Sequence, residues 1–317
     1  LSIALGLAAS AASGSVLQSD VVDRVQLLRD VQILSADDME GRQVGTSGGA
    51  KARAFVVERF RQSGLEPVGD SFEHPFTFSR AARGGAAPVE IRGVNVVGKI
   101  SGTRQPERYI VISAHYDHVG VRNGVVFNGA DDNASGTAAL FALAKHFSSH
   151  RPVNSLVFVA FDAEETGLRG ARSFIERPPV EKSAIVLNLN MDMIGRDPDN
   201  TLYVVGTHAR PFLKPIVTRV AADAAVKLVM GHDDPAQAPA VQNWTTMSDH
   251  YAFMEAGIPA LYFGVEDFEH IHRATDDYET MTHDFYERAV RTMIAVVREF
   301  DGSLDEVVRG RGGAPQP

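Results

Sequence analysis

The chain has 317 residues, 44% of them hydrophobic and 22% charged, enough to bury one large core or two small ones. Its formal net charge of −9, with no dense run of Lys and Arg, sets it against nucleic-acid phosphates and anionic membrane surfaces. With no cysteine, disulfides, thiolate metal sites and cysteine nucleophiles are excluded, so any metal must be held by His, Asp and Glu.

Residues 1–12, LSIALGLAASAA, read as the apolar part and small-residue cleavage region of an export signal. Residues 1–15 are therefore assigned to a signal remnant, and the protein is expected in the periplasm or outside the cell. No later apolar run approaches the roughly 20 residues of a membrane span. A helix is predicted over residues 18–34, with Val21, Val22, Val25, Leu28 and Val31 at helical spacing and Asp20 as cap. A second helix covers 50–62 and stops at Gly64. Strands are then predicted at 94–100, 109–114, 156–161, 184–190, 202–205, 227–230 and 260–263. Helices are expected near 136–147, 210–225, 249–256 and 284–300. This alternation predicts an α/β fold in three layers, a mixed, largely parallel sheet with helices on both faces. One domain is expected over residues 18–304, with a surface loop at 78–88 and a disordered tail at 305–317, ending GRGGAPQP.

Five short motifs carry chemistry, each at a predicted strand end. SAHYDHVG (113–120) follows an apolar strand, which puts His115 on the ligand side of an open sheet. Asp117, two residues on, could hold the other ring N–H of His115. The bland alternative is a surface loop with two solvated histidines. NGADDNASG (128–136) offers Asp131, Asp132 and Asn133 as oxygen donors in a glycine-bounded loop, although such a cluster can simply cap the next helix. DAEETG places Glu164 and Glu165 after a buried strand, where one carboxylate can bind metal and its neighbour can reach a bound water. Asp192 interrupts the apolar strand end LNLNMDMIG, and a buried acid there needs a metal or a partner such as Arg196. EHIHRATDDYET (269–280) offers His270 and His272. Two histidines with three or four carboxylates suit a pair of zinc ions about 3.5–4 Å apart, the arrangement of metal-assisted hydrolysis.

In the order and spacing of these motifs, together with LSADDMEGRQVGTSGGAKA (34–52), NVVGKISG (95–102) and SDHYAFMEAGIPALYF (248–263), the chain resembles metallopeptidase family twenty-eight. These are secreted zinc aminopeptidases related to glutamate carboxypeptidase and glutaminyl cyclase, with a zinc-exopeptidase (phosphorylase/hydrolase-like) fold. The resemblance runs from about residue 34 to 300. It implies two zinc ions per chain and a peptide substrate cut at its amino terminus; a monomer is expected, although no motif encodes the oligomeric state. His115 and Asp192 would be terminal ligands of one zinc, Glu165 and His272 of the other, and Asp132 would bridge them. Asp132 is chosen over Asp131 because the family's bridging Asp stands three residues before the Ser of an SG pair, here Ser135. His272 is chosen over His270 because the family ligand precedes an acid by four residues, here Asp276. Glu164 would be the general base and Asp117 the orienting acid.

Some members carry Tyr before the last His ligand, where this chain has Ile271; the oxyanion donor is therefore open, with Tyr262 a candidate. Relatives with an inserted dimerisation domain share the ligand order, but the stretch between Asp192 and His272 is already used by the sheet. Competing readings are a glutaminyl cyclase, which would keep Asp132, Glu164, Glu165 and His272 around one zinc, a carboxypeptidase or dipeptidase, and a non-catalytic binding domain. Trp244, the single tryptophan, bears on the cyclase reading, since cyclases line their pocket with aromatics.

Overall fold

A computed structural model describes residues 21–80 and 87–313. The expected export signal and the Asp20 cap lie outside the described residues. The first helix is α1 (Arg24–Leu34), capped by Asp23, whose carboxylate accepts the Gln26 N–H. It is followed by α2 (Ser47–Gln62), capped by Thr46. The chain then forms β1 (Glu66–Pro67), β2 (Glu73–Arg80), β3 (Val89–Ile100), β4 (Gln105–His115) and a two-stranded hairpin, β5 (Val121–Arg122) with β6 (Val125–Val126). Next come α3 (Gly136–Ser149), β7 (Asn154–Phe161), α4 (Arg169–Glu176), β8 (Ile185–Met191), β9 (Thr201–Val205), α5 (Lys214–Asp223) and β10 (Lys227–Met230). The last elements are α6 (His250–Glu255), β11 (Ala260–Gly264), α7 (His283–Gly302) and α8 (Leu304–Gly313).

Nine strands form one mixed sheet in the order β1-β3-β7-β4-β8-β11-β9-β10, with β2 also paired to β3. The four central strands, β7, β4, β8 and β11, run parallel, while β3 and β9 join them antiparallel. Because side chains alternate across a strand, β7 sends Leu156, Phe158 and Ala160 to one face and Val157, Val159 and Phe161 to the other. The first face packs against α1, α2, α3, α5, α7 and α8, and the second against α4 and α6. Burial on both faces accounts for the near-continuous apolar runs of these strands. The three-layer α/β architecture is thus as expected. Among the described residues, no helix is long and apolar enough to cross a membrane.

Three expectations need correction. The segment from Glu73 to Arg80 is a strand paired with β3 over eight positions, so residues 78–80 are not part of the surface loop predicted over 78–88, and residues 81–86 lie outside the described residues. Pro75 and the mostly exposed side chains mask its pattern, and an edge strand tolerates both. The tail predicted to be disordered from residue 305 instead contains α8, which sets Leu304 and Val307 into the core. Its glycines hide a short apolar stripe. Helix α4 is also absent from the predicted elements; Gly170 permits its close approach to β3, where a Cβ would lie 2.4 Å from the Asn95 Oδ1.

Candidate metal centre

The chemistry-bearing residues collect where the parallel strands end. His115 is the last residue of β4, Glu164 and Glu165 follow β7, Asp192 follows β8, and His272 lies in the loop after β11. The carboxyl ends of parallel strands leave a crevice because each connection departs toward its own helix. Asp132 enters from the loop that leads into α3, after Gly129 at φ 58°.

The His115 Nε2 stands 3.2 Å from the Asp192 Oδ1 and 3.5 Å from the Asp132 Oδ1. The other Asp132 oxygen, Oδ2, is 3.2 Å from the His272 Nε2, which in turn is 3.0 Å from the Glu165 Oε2. One carboxylate therefore faces two clusters of donors, one through each oxygen. Among the described residues, none of Asp132, Glu164, Glu165 and Asp192 pairs with Lys or Arg, although all sit in a confined space. Burial raises the Asp132 carboxyl above its usual range, and Glu165 beside it adds to the rise. Burial likewise pushes Glu164 well above the ordinary range, His115 partly opposing and Asp249 and Asp192 reinforcing it. Contacts with Asp132 and Glu165 raise the His272 imidazole to about 10. Such a set demands positive charge, which a divalent cation satisfies with N and O donors of the kind zinc accepts.

The loops are held by groups that bind their backbones. Arg42 is fully buried at φ 51° and gives its guanidinium to backbone carbonyls only: Tyr116 at 2.8 Å, Leu34 at 2.8 Å, Asn128 at 2.5 Å, Gly129 at 2.8 Å and Asp132 at 3.3 Å. It ties the loop after β4 to the loop that carries Asp132. Gly41 before it is obligatory, since a Cβ there would lie 2.5 Å from the Phe127 carbonyl and φ is 63°. From the other side, the two oxygens of Asp276 accept the backbone N–H groups of Asp131 and Asp132 at 2.9 and 3.0 Å.

These ties separate the adjacent acids. Asp131 accepts the Gly195 N–H at 2.6 Å and stands away from the histidines, whereas Asp132 faces them. His270 turns its Nδ1 to the Thr275 carbonyl and hydroxyl, leaving His272 at the cluster. Arg196 does not meet Asp192; it binds Asp267 and, at 2.8 Å, Asp276. Asp117 differs from expectation. The His115 Nδ1 faces the Asp117 backbone carbonyl at 3.1 Å, while its carboxylate accepts the Glu164 and Glu165 N–H groups at 3.0 and 3.4 Å. Its side chain therefore sets the acid pair, while the His115 Nδ1 has the Asp117 main-chain carbonyl at 3.1 Å and the carboxylate Oδ1 farther off at 3.8 Å. His115 and His118 are both buried, so SAHYDHVG is no solvated loop.

Sequence patterns do not single out several members of the site. His118 reaches Glu165, and Asp249 and His250 are buried at the start of α6 with no hydrogen-bond partner on their side chains. Burial lifts Asp249 to about 7 and lowers His250 to about 4. The signal available for both is the tripeptide SDH at 248–250, which lies inside a longer family marker. Tyr262, on β11, stacks on His250 with ring centroids 5.0 Å apart, and burial keeps its phenol protonated. Trp244 lies flat on His232 at 3.7 Å and is wedged among Tyr203, Tyr262 and Phe268.

A crevice of histidines and carboxylates at the carboxyl edge of an α/β sheet offers the N and O donors that a divalent metal takes. Residues 95–297 match the pattern of peptidase family M28, and the chain belongs to that family. It is 27% identical over 262 residues to a "Probable zinc metalloprotease" of Pyrenophora teres f. teres, covering 72% of this chain but only 53% of that protein. The chain thus spans about half the length of such curated relatives. In fold it is similar to a zinc aminopeptidase from Bacillus subtilis, with a TM-score of 0.68, 18% identity and coverage of 86% and 94% of the two chains. It is equally similar to Fimbriiglobus ruber glutaminyl cyclase, at 0.69, 19%, 88% and 95%.

Proposed function

We propose that the chain is a zinc-dependent aminopeptidase with two metal positions. His115, Asp132 and Asp192 would hold one ion, and Asp132, Glu165 and His272 the other. The observation that carries the reading is the divided Asp132 carboxylate, one oxygen 3.5 Å from His115 and the other 3.2 Å from His272, in a cluster without Lys or Arg. A zinc pair so bound would polarise a scissile carbonyl and lower the pKa of water.

The chain's own groups supply the rest. Glu164 is a base with a raised proton affinity, suited to take a proton from water and return it to a leaving amine. Asp117 fixes the backbone of Glu164 and Glu165 at once, so base and ligand keep a constant relation. Tyr262 keeps its proton and lies next to the strand that delivers Asp192, which suits it to donate to an oxyanion. Export to the periplasm or beyond is part of the proposal and rests on the pattern of residues 1–12.

The cyclase reading draws on the similar fold, but it leaves His115 and Asp192, 3.2 Å apart, without a task. Zinc per chain should be counted while the protein is offered aminoacyl-anilides, N-blocked peptides, dipeptides and a peptide beginning with Gln. Two zincs with release of free amino-terminal residues support the proposal. Ammonia and a cyclised product from the Gln peptide with one zinc would establish the cyclase, and cleavage of N-blocked peptides would reverse the direction.

A further inference from the structure

We propose that His118 is a fourth protein donor at the second metal position, so that the two ions are held by unequal sets. This rests on the metal reading above and extends it. His118 lies three residues beyond His115, in the loop leaving β4, and its side chain is fully buried. Its Nδ1 stands 2.8 Å from the Glu165 Oε1 and 3.6 Å from the Asp132 Oδ2.

Close as they are, His118 and Glu165 do not aim at each other. Neither ring nitrogen of His118 makes an aligned hydrogen bond, and neither does the Glu165 Oε1. The buried His232, by contrast, docks its Nδ1 on the Gln242 carbonyl at 2.8 Å, and His250, unpartnered like His118, has no ion-pair contact with a carboxylate among the described residues, whereas His118 has two. His118 instead converges with Glu165 on a shared point. Four donors around a tetrahedral zinc, with bonds near 2.0–2.2 Å, stand about 3.3 Å from one another. His118 and His272 share the Asp132 Oδ2, at 3.6 and 3.2 Å, and each faces its own oxygen of Glu165, at 2.8 and 3.0 Å, so that His118, Asp132 and Glu165 by themselves form a group close enough to hold an ion. The rings of His118 and His272 flank the carboxylates with centroids 5.9 Å apart and planes inclined by 55°.

The consequence is a division of labour. The second position would have four protein donors, the closed pattern of a structural ion, while the first has three and keeps a place for water or substrate. The second ion anchors the site and leaves last; the first is exchangeable and meets the substrate.

The test loads metal-free protein with zinc alone or cobalt(II) alone. Chelator titration of the wild type should release zinc in two separate steps, and His118→Gln should weaken the tighter step by at least about tenfold and the looser one by less than about twofold. Proton NMR of the cobalt-loaded wild type counts the bound imidazoles without any variant. Two shifted ring N–H signals that resist exchange, from the buried His115 and His118, are expected, and one should vanish in His118→Gln. A single such signal in the wild type, or an unchanged tight step in the variant, overturns the proposal. Should the wild type bind no metal, the two-metal reading fails with it; should it bind two with one slow imidazole signal, only the role of His118 falls.

Discussion

Two buried acid clusters lie side by side in this protein, and they are solved in opposite ways. In one, Asp131, Asp267 and Asp276 gather around Arg196, which also reaches the Thr280 carbonyl and hydroxyl at 2.8 and 2.7 Å. Backbone N–H groups add to this, from Gly195 to the Asp131 Oδ1 and from Asp131 and Asp132 to Asp276, leaving the Asp131 Oδ2 without a partner. In the other, Asp132, Glu165 and Asp192 face imidazoles, and among the described residues no guanidinium or ammonium pairs with them or with Glu164. Arg42 approaches closely, yet spends its donors on carbonyls. A buried charge is tolerated only when paired or bound. The first cluster carries its own counter-charge, as a scaffold can; the second has none of its own, which is what the proposed metal site requires. Asp131 and Asp132, neighbours in sequence, belong one to each.

The largest effect expected from that contrast is at Asp132. Asp132→Ala removes the group shared by both metal positions, and zinc per chain should fall together with essentially all peptidase activity. Retention of both ions in this variant would erase the distinction between the clusters. Glu164→Gln should lower turnover by about 10²–10⁴-fold while leaving zinc content unchanged, as expected of a lost general base. If aminoacyl-anilides were cleaved at the normal rate, the base would have to be sought elsewhere.

On the scaffold side, Arg196→Met strands three buried acids, and the expected cost is about 3–5 kcal/mol of stability. Thermal melts with and without excess zinc would measure it, and the loss should persist in both. A variant rescued fully by zinc would mean that Arg196 serves the metal cluster after all. The smallest effect is protonic. In metal-free protein, the His272 pKa is raised to about 10 by Asp132 and Glu165. The stabilisation from that charged contact is complete below the ordinary histidine value near 6.5 and fades as pH rises through about 10. Metal-free protein should therefore melt lower as pH is raised across that window, whereas zinc-loaded protein should change little. Zinc uptake at pH 8 should also release protons, seen as a dependence of calorimetric heat on the buffer's ionisation enthalpy.

Much of the site is legible in the sequence. His115, the Glu164–Glu165 pair and Asp192 each stand where an apolar run breaks at a strand end, and that break is a local signal. Choosing Asp132 and His272 needs the family resemblance, because Asp131 and His270 are chemically equivalent neighbours. The geometry separates them by contacts that spacing does not show: Gly195, 64 residues on, claims the Asp131 carboxylate, and the turn back to Thr275 claims His270. Asp117 shows the same limit. Spacing suggests that its carboxylate holds His115, and the fold also uses that carboxylate, 3.8 Å from the His115 Nδ1, to accept the backbone N–H of Glu164, 47 residues away.

Apolar periodicity and residue type are local properties, and they suffice for the layered α/β fold, the metal-ligating chemistry and the strand ends that carry it. Other outcomes were settled by packing across the chain: Arg42 binds five carbonyls, α8 closes the core, and His118 turns inward toward Glu165. They depend on which loops meet at the edge of the sheet. No spacing along the chain encodes that meeting, because the groups involved stand tens of residues apart and are brought together only when the strands align.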